Sequence, residues 1–436
     1  MKEVDFSKKI ENRSVIIGIV GIGYVGLPLA LAFAERGFKT LGFDIDPKKI
    51  EAVNSGRSYI SYILEGRINR VSDHLSATQD FTQVSTCDAI LLCLPTPLSK
   101  NREPDLSYIK GTAESIAPYI RSGQLISLES TTYPGTTEEV LIPILESGSG
   151  LSAREDFFVS FSPEREDPQN PDFNFTNIPK VVGGADERSL AVASALYSAV
   201  AARVIKVGSP ATAEAAKLLE NIFRSVNIAL VNEMKMVFDR MGLDVWEVIE
   251  VAATKPFGFM PFYPGPGLGG HCVPIDPFYL TWKAREVGIS TRFIELAGEI
   301  NSGMPDYVVE RLMYALNEHG KAIQGCRILI LGMAYKKNVE DLRESASLRL
   351  LSLLSHLGAT VEYHDQHVLS IMPTREYSQF AGLASVPIEH IADYDATIIA
   401  TAHDCVDYDF VAKKAKLILD TRNAIKDRSL RHVYRA

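Results

Sequence analysis

Residues 262–278 read FYPGPGLGGHCVPIDPF, and within this run of Gly and Pro stand one thiol, Cys272, and one carboxylate, Asp276. A thiol in an irregular loop gains little as a core filler, whereas a thiolate there is a nucleophile. Gly265, Gly267, Gly269 and Gly270 let backbone close around a ligand, with Phe262 and Tyr263 at the loop entrance. His271 is adjacent in sequence, but neighbouring side chains diverge, so it is not paired with the thiol. A second constellation lies upstream. Gly21-x-Gly23-x-x-Gly26, with Tyr24 and Val25 inside it, precedes Asp44 by the interval typical of NAD sites. The glycines serve a tight turn, close approach to a pyrophosphate and helix–strand packing, while Asp44 suits both ribose hydroxyls and repels a 2′-phosphate. A nucleophilic Cys with NAD points to aldehyde oxidation through a thiohemiacetal and a thioester.

The elements that must carry these residues are legible as patterns. SVIIGIVGIGYVGLPLALAFAERGFKTLGFDID reads as a strand, the glycine turn, a helix to about Arg36 and a second strand ending at Asp44. Residues 15–34 are uncharged and long enough to span a bilayer, but the change from β-branched residues to Leu and Ala marks a buried βα unit. DAILLCLPTP, QLISLESTTYPGTT and FFVSFSPER read as further strands of a doubly wound sheet. Ligands bind at the carboxyl rim of such sheets, so Thr96, Thr131 and Glu164 are expected near the nicotinamide end. From Ala211 to about Met241 no Gly or Pro interrupts one long helix, on which Lys217 and Asn221 stand four apart. A second α/β half begins near residue 322 with CRILILGMAYK, ATVEYHD, YDATIIATAHD and AKLILDTRN, and retains only Gly332 of the glycine fingerprint. Lys336 and Arg343 are its expected anion contacts. The fold class is α/β: two Rossmann-like doubly wound domains joined by a long central helix.

Bulk properties narrow the function. A chain of 436 residues exceeds one core, so two or three domains follow. The formal charge of −9 offers no basic block for a nucleic acid, while a small anionic ligand needs only a local pocket. The five cysteines show no metal-binding spacing, so no metal is expected. Cys87, Cys93, Cys326 and Cys405 lie in or beside apolar strand patterns and are read as buried structural thiols, consistent with a reducing cytoplasm.

GYVGLP, ESTTYPGTT, SPERED, AEAAKLLEN, GPGLGGHCVPIDP and GMAYKKNVEDLRES occur in this order over nearly the whole chain. Together they resemble the UDP-sugar 6-dehydrogenases of the UDP-glucose/GDP-mannose dehydrogenase family. The Gly-Gly-His-Cys form, with Ile275 after the following Pro, is similar to the branch acting on UDP-N-acetylhexosamines, with UDP-N-acetylglucosamine the first expectation. UDP-N-acetylmannosamine, UDP-N-acetylgalactosamine and UDP-glucose are the alternatives. The resemblance implies four-electron oxidation of a sugar C6 alcohol with two NAD, in bacterial surface-polysaccharide synthesis such as that of O-antigen. It implies Cys272 as nucleophile, Lys217 and Asn221 as oxyanion donors, Asp276 and Thr131 as water-positioning groups, and Glu164 on substrate or hydrolytic water. Arg343 would contact NAD, Lys336 would contact the UDP-sugar, and the 262–270 loop would cradle the nucleotide.

The implied domains are an NAD-binding domain over 1–208, a helical dimerisation domain over 209–320 and a UDP-sugar-binding domain over 321–436. A homodimer or higher oligomer is implied as well, without membrane insertion. Two departures stand out. SPEREDPQ replaces the longer segment that carries a hydrolytic glutamate in the UDP-glucose branch, leaving Glu166 as its possible counterpart. Lys255 is the candidate for an arginine that the family supplies across its dimer. A two-electron hydroxyacid dehydrogenase would leave the Cys272 loop and the second α/β half unexplained. A non-catalytic nucleotide-sugar-binding protein would need neither Cys272, Lys217 nor Asp276.

Overall fold

Short apolar runs rich in Val, Ile and Leu form the strands, and longer interrupted runs form the helices that cover them. The computed structural model describes residues 3–60, 62–99, 101–165, 177–270, 273–374 and 376–436. Cys272, His271 and Glu166 lie outside the described residues. The chain divides into two compact units, Met1–Glu220 with Phe278–Ile289, and Asn221–Pro277 with Ser290–Ala436.

Among the described residues, the first unit is built on eight strands: β1 Ile16–Val20, β2 Lys39–Phe43, β3 Leu75–Thr78, β4 Ala89–Leu92, β5 Leu125–Leu128, β6 Phe158–Phe161, β7 Lys180–Gly184 and β8 Val204–Val207. Their order is β3-β2-β1-β4-β5-β6-β7-β8. The order reverses between β1 and β4, which opens a crevice at their carboxyl ends, where such sheets take ligands. Every residue of β4, β5 and β6 is buried, the continuous apolar signature of strands covered on both faces. Truncating one of them, as in Leu91→Ala, costs about 2–5 kcal/mol. The pairing is parallel from β3 to β6, but β7 runs antiparallel to β6 and β8 follows β7. That reversal was not legible in the sequence, and it puts the first residue of β7 at the same rim as the ends of β5 and β6.

The uncharged 15–34 run folds as expected, into β1 and the helix Gly26–Glu35. Among the described residues no helix is long and apolar enough to cross a membrane. The long helix runs Pro210–Met241, 32 residues or about 48 Å.

The second unit carries β9 Arg327–Leu331, β10 Thr360–His364, β11 Ala396–Ile399, β12 Ile418–Asp420 and β13 Val433–Arg435 in the all-parallel order β10-β9-β11-β12-β13. The faint sequence repeat has an atomic counterpart. Gly21 and Gly332 both turn with positive φ, and a Cβ on either would lie 2.3 Å from a carbonyl oxygen, that of Cys93 or of Thr401. Asp44 accepts from Ile22 N after β2, and Asp365 accepts from Met333 N after β10. In the second half Asp365 Oδ2 also bonds His403 Nε2 at 3.1 Å, where in the first half Asp44 Oδ2 takes Lys49 Nζ at 3.0 Å.

The thiols need one correction. Cys87 and Cys326 are buried, but Cys93 is only half-buried and Cys405 is exposed. β11 ends at Ile399, so Cys405 falls on the following loop beyond the apolar pattern that suggested burial.

Candidate active site

The turn after β1 is shaped for close approach of a ligand. A Cβ at Gly26 would lie 1.9 Å from Gly21 O, so Gly26 lets the helix pack against the turn. At Gly23 nothing lies within 4 Å of that position, leaving open the space a pyrophosphate needs at the helix N-terminus. Val25 is the N-cap, and Tyr24 stacks with Tyr62 at a ring separation of 6.4 Å. Asp44 is buried, accepting from Ile22 N at 3.1 Å, Asp46 N at 3.0 Å and Lys49 Nζ at 3.0 Å. This turn fits a dinucleotide, and Lys49 beside the acid went unnoticed in the sequence. Thr96, past the end of β4, is buried.

Thr131 follows β5 on a segment fastened at both ends. On one side, Leu94 N donates to Ser130 Oγ at 2.8 Å. On the other, fully buried Glu214 accepts from Gly135 N at 2.6 Å, Thr137 N at 2.9 Å and Thr137 Oγ1 at 2.7 Å. Burial pushes the Glu214 carboxyl up in pKa, against the pull of these donors. Glu214 stands three residues before Lys217 on the long helix, so it ties the Thr131 segment to the helix that carries the expected cation. Lys217 and Asn221 are both buried, one turn apart. The solvated stripe that a lone helix lysine ordinarily implies is absent here.

Glu164 lies just past β6. Its Oε1 accepts from Arg165 N at 2.7 Å, and its Oε2 is 3.3 Å from Lys180 Nζ. Lys180 also pairs with Glu129 at 2.7 Å, with side chains 4% and 0% exposed. Burial alone would lower the ammonium's pKa, but the charges of Glu129 and Glu164 outweigh it and hold Lys180 above its ordinary value.

In the second unit Asn221 Nδ2 donates to Asp276 Oδ2 at 2.5 Å, with Asp276 the first residue of the helix Asp276–Glu286. The 262–270 loop is held from several sides. Gly265 N donates to Asn232 Oδ1 at 3.0 Å, and Gly270 N donates to Arg343 O at 2.9 Å. Tyr335 packs on Gly269 and Gly270 so closely that a Cβ would come within 2.5 Å and 2.9 Å of it. Phe262 meets Phe223 edge-on at 5.7 Å, and Tyr263 stacks on Trp246 at 5.4 Å. Gly267 adopts φ 140 beside Ala346.

The loop and the GMAYKKNVEDLRES segment are thus one assembly. The Arg343 guanidinium pairs with Asp341 at 2.6 Å, and Lys336 Nζ sits 5.9 Å from the centre of the Tyr335 ring. Lys255 rests over Phe257. Arg422 went unnoticed in the sequence. Its Nε donates to Ala400 O, burial pulls its pKa down to about 10 against Asp420, and its Nη1 would meet a Cβ at Gly265 at 2.3 Å. A cation ending a buried strand, in LILDTR, was the available signal.

Comparison with known proteins gives the assembly a context. Three models of the UDP-glucose/GDP-mannose dehydrogenase family match: the NAD binding domain over 15–201, the central domain over 211–303 and the UDP binding domain over 329–427. A UDP-N-acetyl-D-glucosamine 6-dehydrogenase from Pseudomonas aeruginosa is 36% identical over 90% of this chain and 91% of its own. One from Salmonella typhi is 34% identical over 89% and 90%. The solved UDP-D-ManNAc dehydrogenase of Pyrococcus horikoshii superposes with a TM-score of 0.87 at 31% identity, covering 97% of this chain and 99% of its own.

Proposed function

This chain belongs to the UDP-glucose/GDP-mannose dehydrogenase family and is an NAD-dependent UDP-sugar dehydrogenase, and from that premise we propose that it oxidises C6 of a UDP-N-acetylhexosamine, UDP-N-acetylglucosamine first, to the uronic acid. The observation that carries the substrate is the 36% identity over 90% of the chain to the Pseudomonas aeruginosa enzyme with that activity in its name. The Gly-His-Cys loop, in place of the Gly-Ser-Cys of the UDP-glucose branch, supports the same choice.

The family reaction removes four electrons, and its chemistry assigns work to named groups. The open space at Gly23, the helix N-terminus behind it and Asp44 would hold NAD, which when bound supplies the hydride acceptor for both oxidations. Lys217 and Asn221 act as preorganised donors to the C6 oxygen as charge develops on it. Asp276, oriented by Asn221, works with Thr131 on a water that takes the alcohol proton. The Cys272 sulfur adds to the aldehyde carbon, the resulting thiohemiacetal loses its C6 hydrogen as hydride and its hydroxyl proton to the Asp276-held water, and a thioester remains. Water then breaks the C–S bond with Glu164 as proton acceptor, and the thiol and the acid are released. Phe262, Tyr263, Gly265, Gly267, Gly269 and Lys336 shape the nucleotide-sugar site, with Arg422 added to them, and Arg343 serves NAD.

The apolar side chains Leu219, Phe223, Leu230, Val237 and Met241 are exposed on the long helix at spacings of four and seven, which supports a homodimer through that face. The reading includes a cytoplasmic place in surface-polysaccharide synthesis. Purified protein with NAD, assayed against UDP-N-acetylglucosamine, UDP-N-acetylgalactosamine, UDP-N-acetylmannosamine and UDP-glucose, tests the substrate. A kcat/KM highest for UDP-N-acetylglucosamine by about tenfold or more, a margin of about 1.4 kcal/mol in transition-state binding, is expected. Preference for UDP-glucose would overturn the assignment.

A further inference from the structure

Antiparallel β7 brings Lys180 to the rim where the candidate chemistry lies. Ser160 pairs with Gly184 and Phe161 with Gly183, and the same register extended by three residues sets Lys180 opposite Glu164. The ammonium there has three donor positions, and among the described residues it meets Glu129 Oε2 at 2.7 Å, Glu164 Oε2 at 3.3 Å and Pro163 O at 3.3 Å. Glu129 is held in turn. The Tyr197 hydroxyl donates to it, and Tyr197 also bonds Ser127 Oγ at 2.9 Å. Among the described residues, the charged and titratable groups around this cluster are Glu129 after β5, Cys93 after β4, Tyr197 on the helix Glu187–Ser198, and Arg165, whose guanidinium pairs with Glu220.

A buried ion pair is a poor way to gain stability, because apolar side chains of similar volume often do as well or better. An ion cluster at the carboxyl end of the central strands therefore calls for a use. We propose that Lys180, backed by Glu129 and Tyr197, is a positioning residue that holds Glu164 ionised and fixed in direction for thioester hydrolysis. This rests on the reading that Glu164 receives the proton of the hydrolytic water. In that step the water oxygen bonds the acyl carbon, the C–S bond breaks with its electron pair going to sulfur, and nothing is oxidised or reduced. Lys180 lends the carboxylate a neighbouring positive charge and one fixed hydrogen bond. Without it a half-buried carboxylate would take up its proton at higher pH and lose its role as acceptor.

The test uses the whole enzyme with NAD and whichever of the four UDP-sugars it turns over. Lys180→Met, Lys180→Arg, Glu164→Gln and the double variant Lys180→Met/Glu164→Gln are compared by rapid mixing and intact-protein mass. For Lys180→Met the expected result is a burst of NADH, a sugar–protein adduct and then turnover slowed about tenfold or more. The acid limb of kcat should move to higher pH, the KM for NAD should stay unchanged, and Lys180→Arg should recover most of the rate. The double variant should be no slower than Glu164→Gln, since the lysine acts only through the glutamate.

Should Lys180→Met unfold, Glu129→Gln/Lys180→Met removes both buried charges and should still show the burst. Normal hydrolysis in Lys180→Met or in that pair, or additive losses in the double variant, would overturn the inference alone. Normal hydrolysis in Glu164→Gln would remove the Glu164 reading and this inference with it.

Discussion

Asn221 Nδ2 and Asp276 Oδ2 are hydrogen-bonded at 2.5 Å across 55 positions of sequence, one from the long helix and the other from the helix that follows the Cys272 loop. Both side chains are buried, so the amide fixes which way the carboxylate faces. Asn221→Ala leaves that carboxylate short of one donor, at a cost of about 1–3 kcal/mol in stability. Turnover should fall about a hundredfold, because Asp276 loses its orientation as well as the amide donor. Steady-state kinetics with each substrate varied in turn should show an unchanged KM for NAD; a loss confined to NAD binding would contradict the assignment.

The glycine turn separates fold from binding. A Cβ at Gly21 would strike Cys93 O at 2.3 Å on a backbone of φ 88, whereas one at Gly23 meets nothing within 4 Å. Gly21→Ala should therefore lower the melting temperature by several degrees. Gly23→Ala should melt as the parent does but bind NAD at least about tenfold more weakly, by filling the approach to the pyrophosphate. Thermal denaturation beside NAD titration of both variants checks this, and equal melting losses would contradict it.

Gly265→Ala is aimed at the second unit. The new methyl displaces the Arg422 guanidinium, which a Cβ would approach to 2.3 Å, without touching the dinucleotide turn. The KM for the UDP-sugar should rise about tenfold or more with the KM for NAD unaltered. Arg422→Met should do the same, and a variant with neither effect would remove Arg422 from the site.

Much of this was legible in the sequence, and the reasons differ by residue. The strand–glycine–helix entry, the uninterrupted 211–241 helix and the acid at Asp44 are local patterns, and local patterns survive folding. The antiparallel β7 is not local: its direction depends on where residues 177–180 return to the sheet, so Lys180 opposite Glu164 could not be foreseen. Glu214 and Arg422 are single charges whose partners lie 77 and 22 positions away, and composition says nothing about such pairings. Cys405 was misjudged because an apolar strand was extended past Ile399.

Asp365 gives the second unit an acid-sensitive lock. Burial would raise its pKa, but the bond and charge of His403, with the N–H groups of Met333 and Ala334, outweigh burial and hold it far below the usual carboxylate range. A folded-state pKa below the unfolded value of about 3.9 means stabilisation that is complete above about pH 5 and lost as pH falls through the folded value. Asp365→Asn should cost about 2 kcal/mol at pH 7 and flatten the decline of stability below about pH 4. Urea unfolding of parent and variant across pH 3–7 measures both, and parallel pH profiles would contradict the assignment.

The central claim is a four-electron oxidation completed on one enzyme. The most direct measurement is the amount of NADH formed per UDP-N-acetylhexosamine consumed, with the sugar product identified in the same reaction. The account predicts two NADH for each substrate and a C6 carboxylate as the product. One NADH per substrate, with an aldehyde or ketone released, would contradict it.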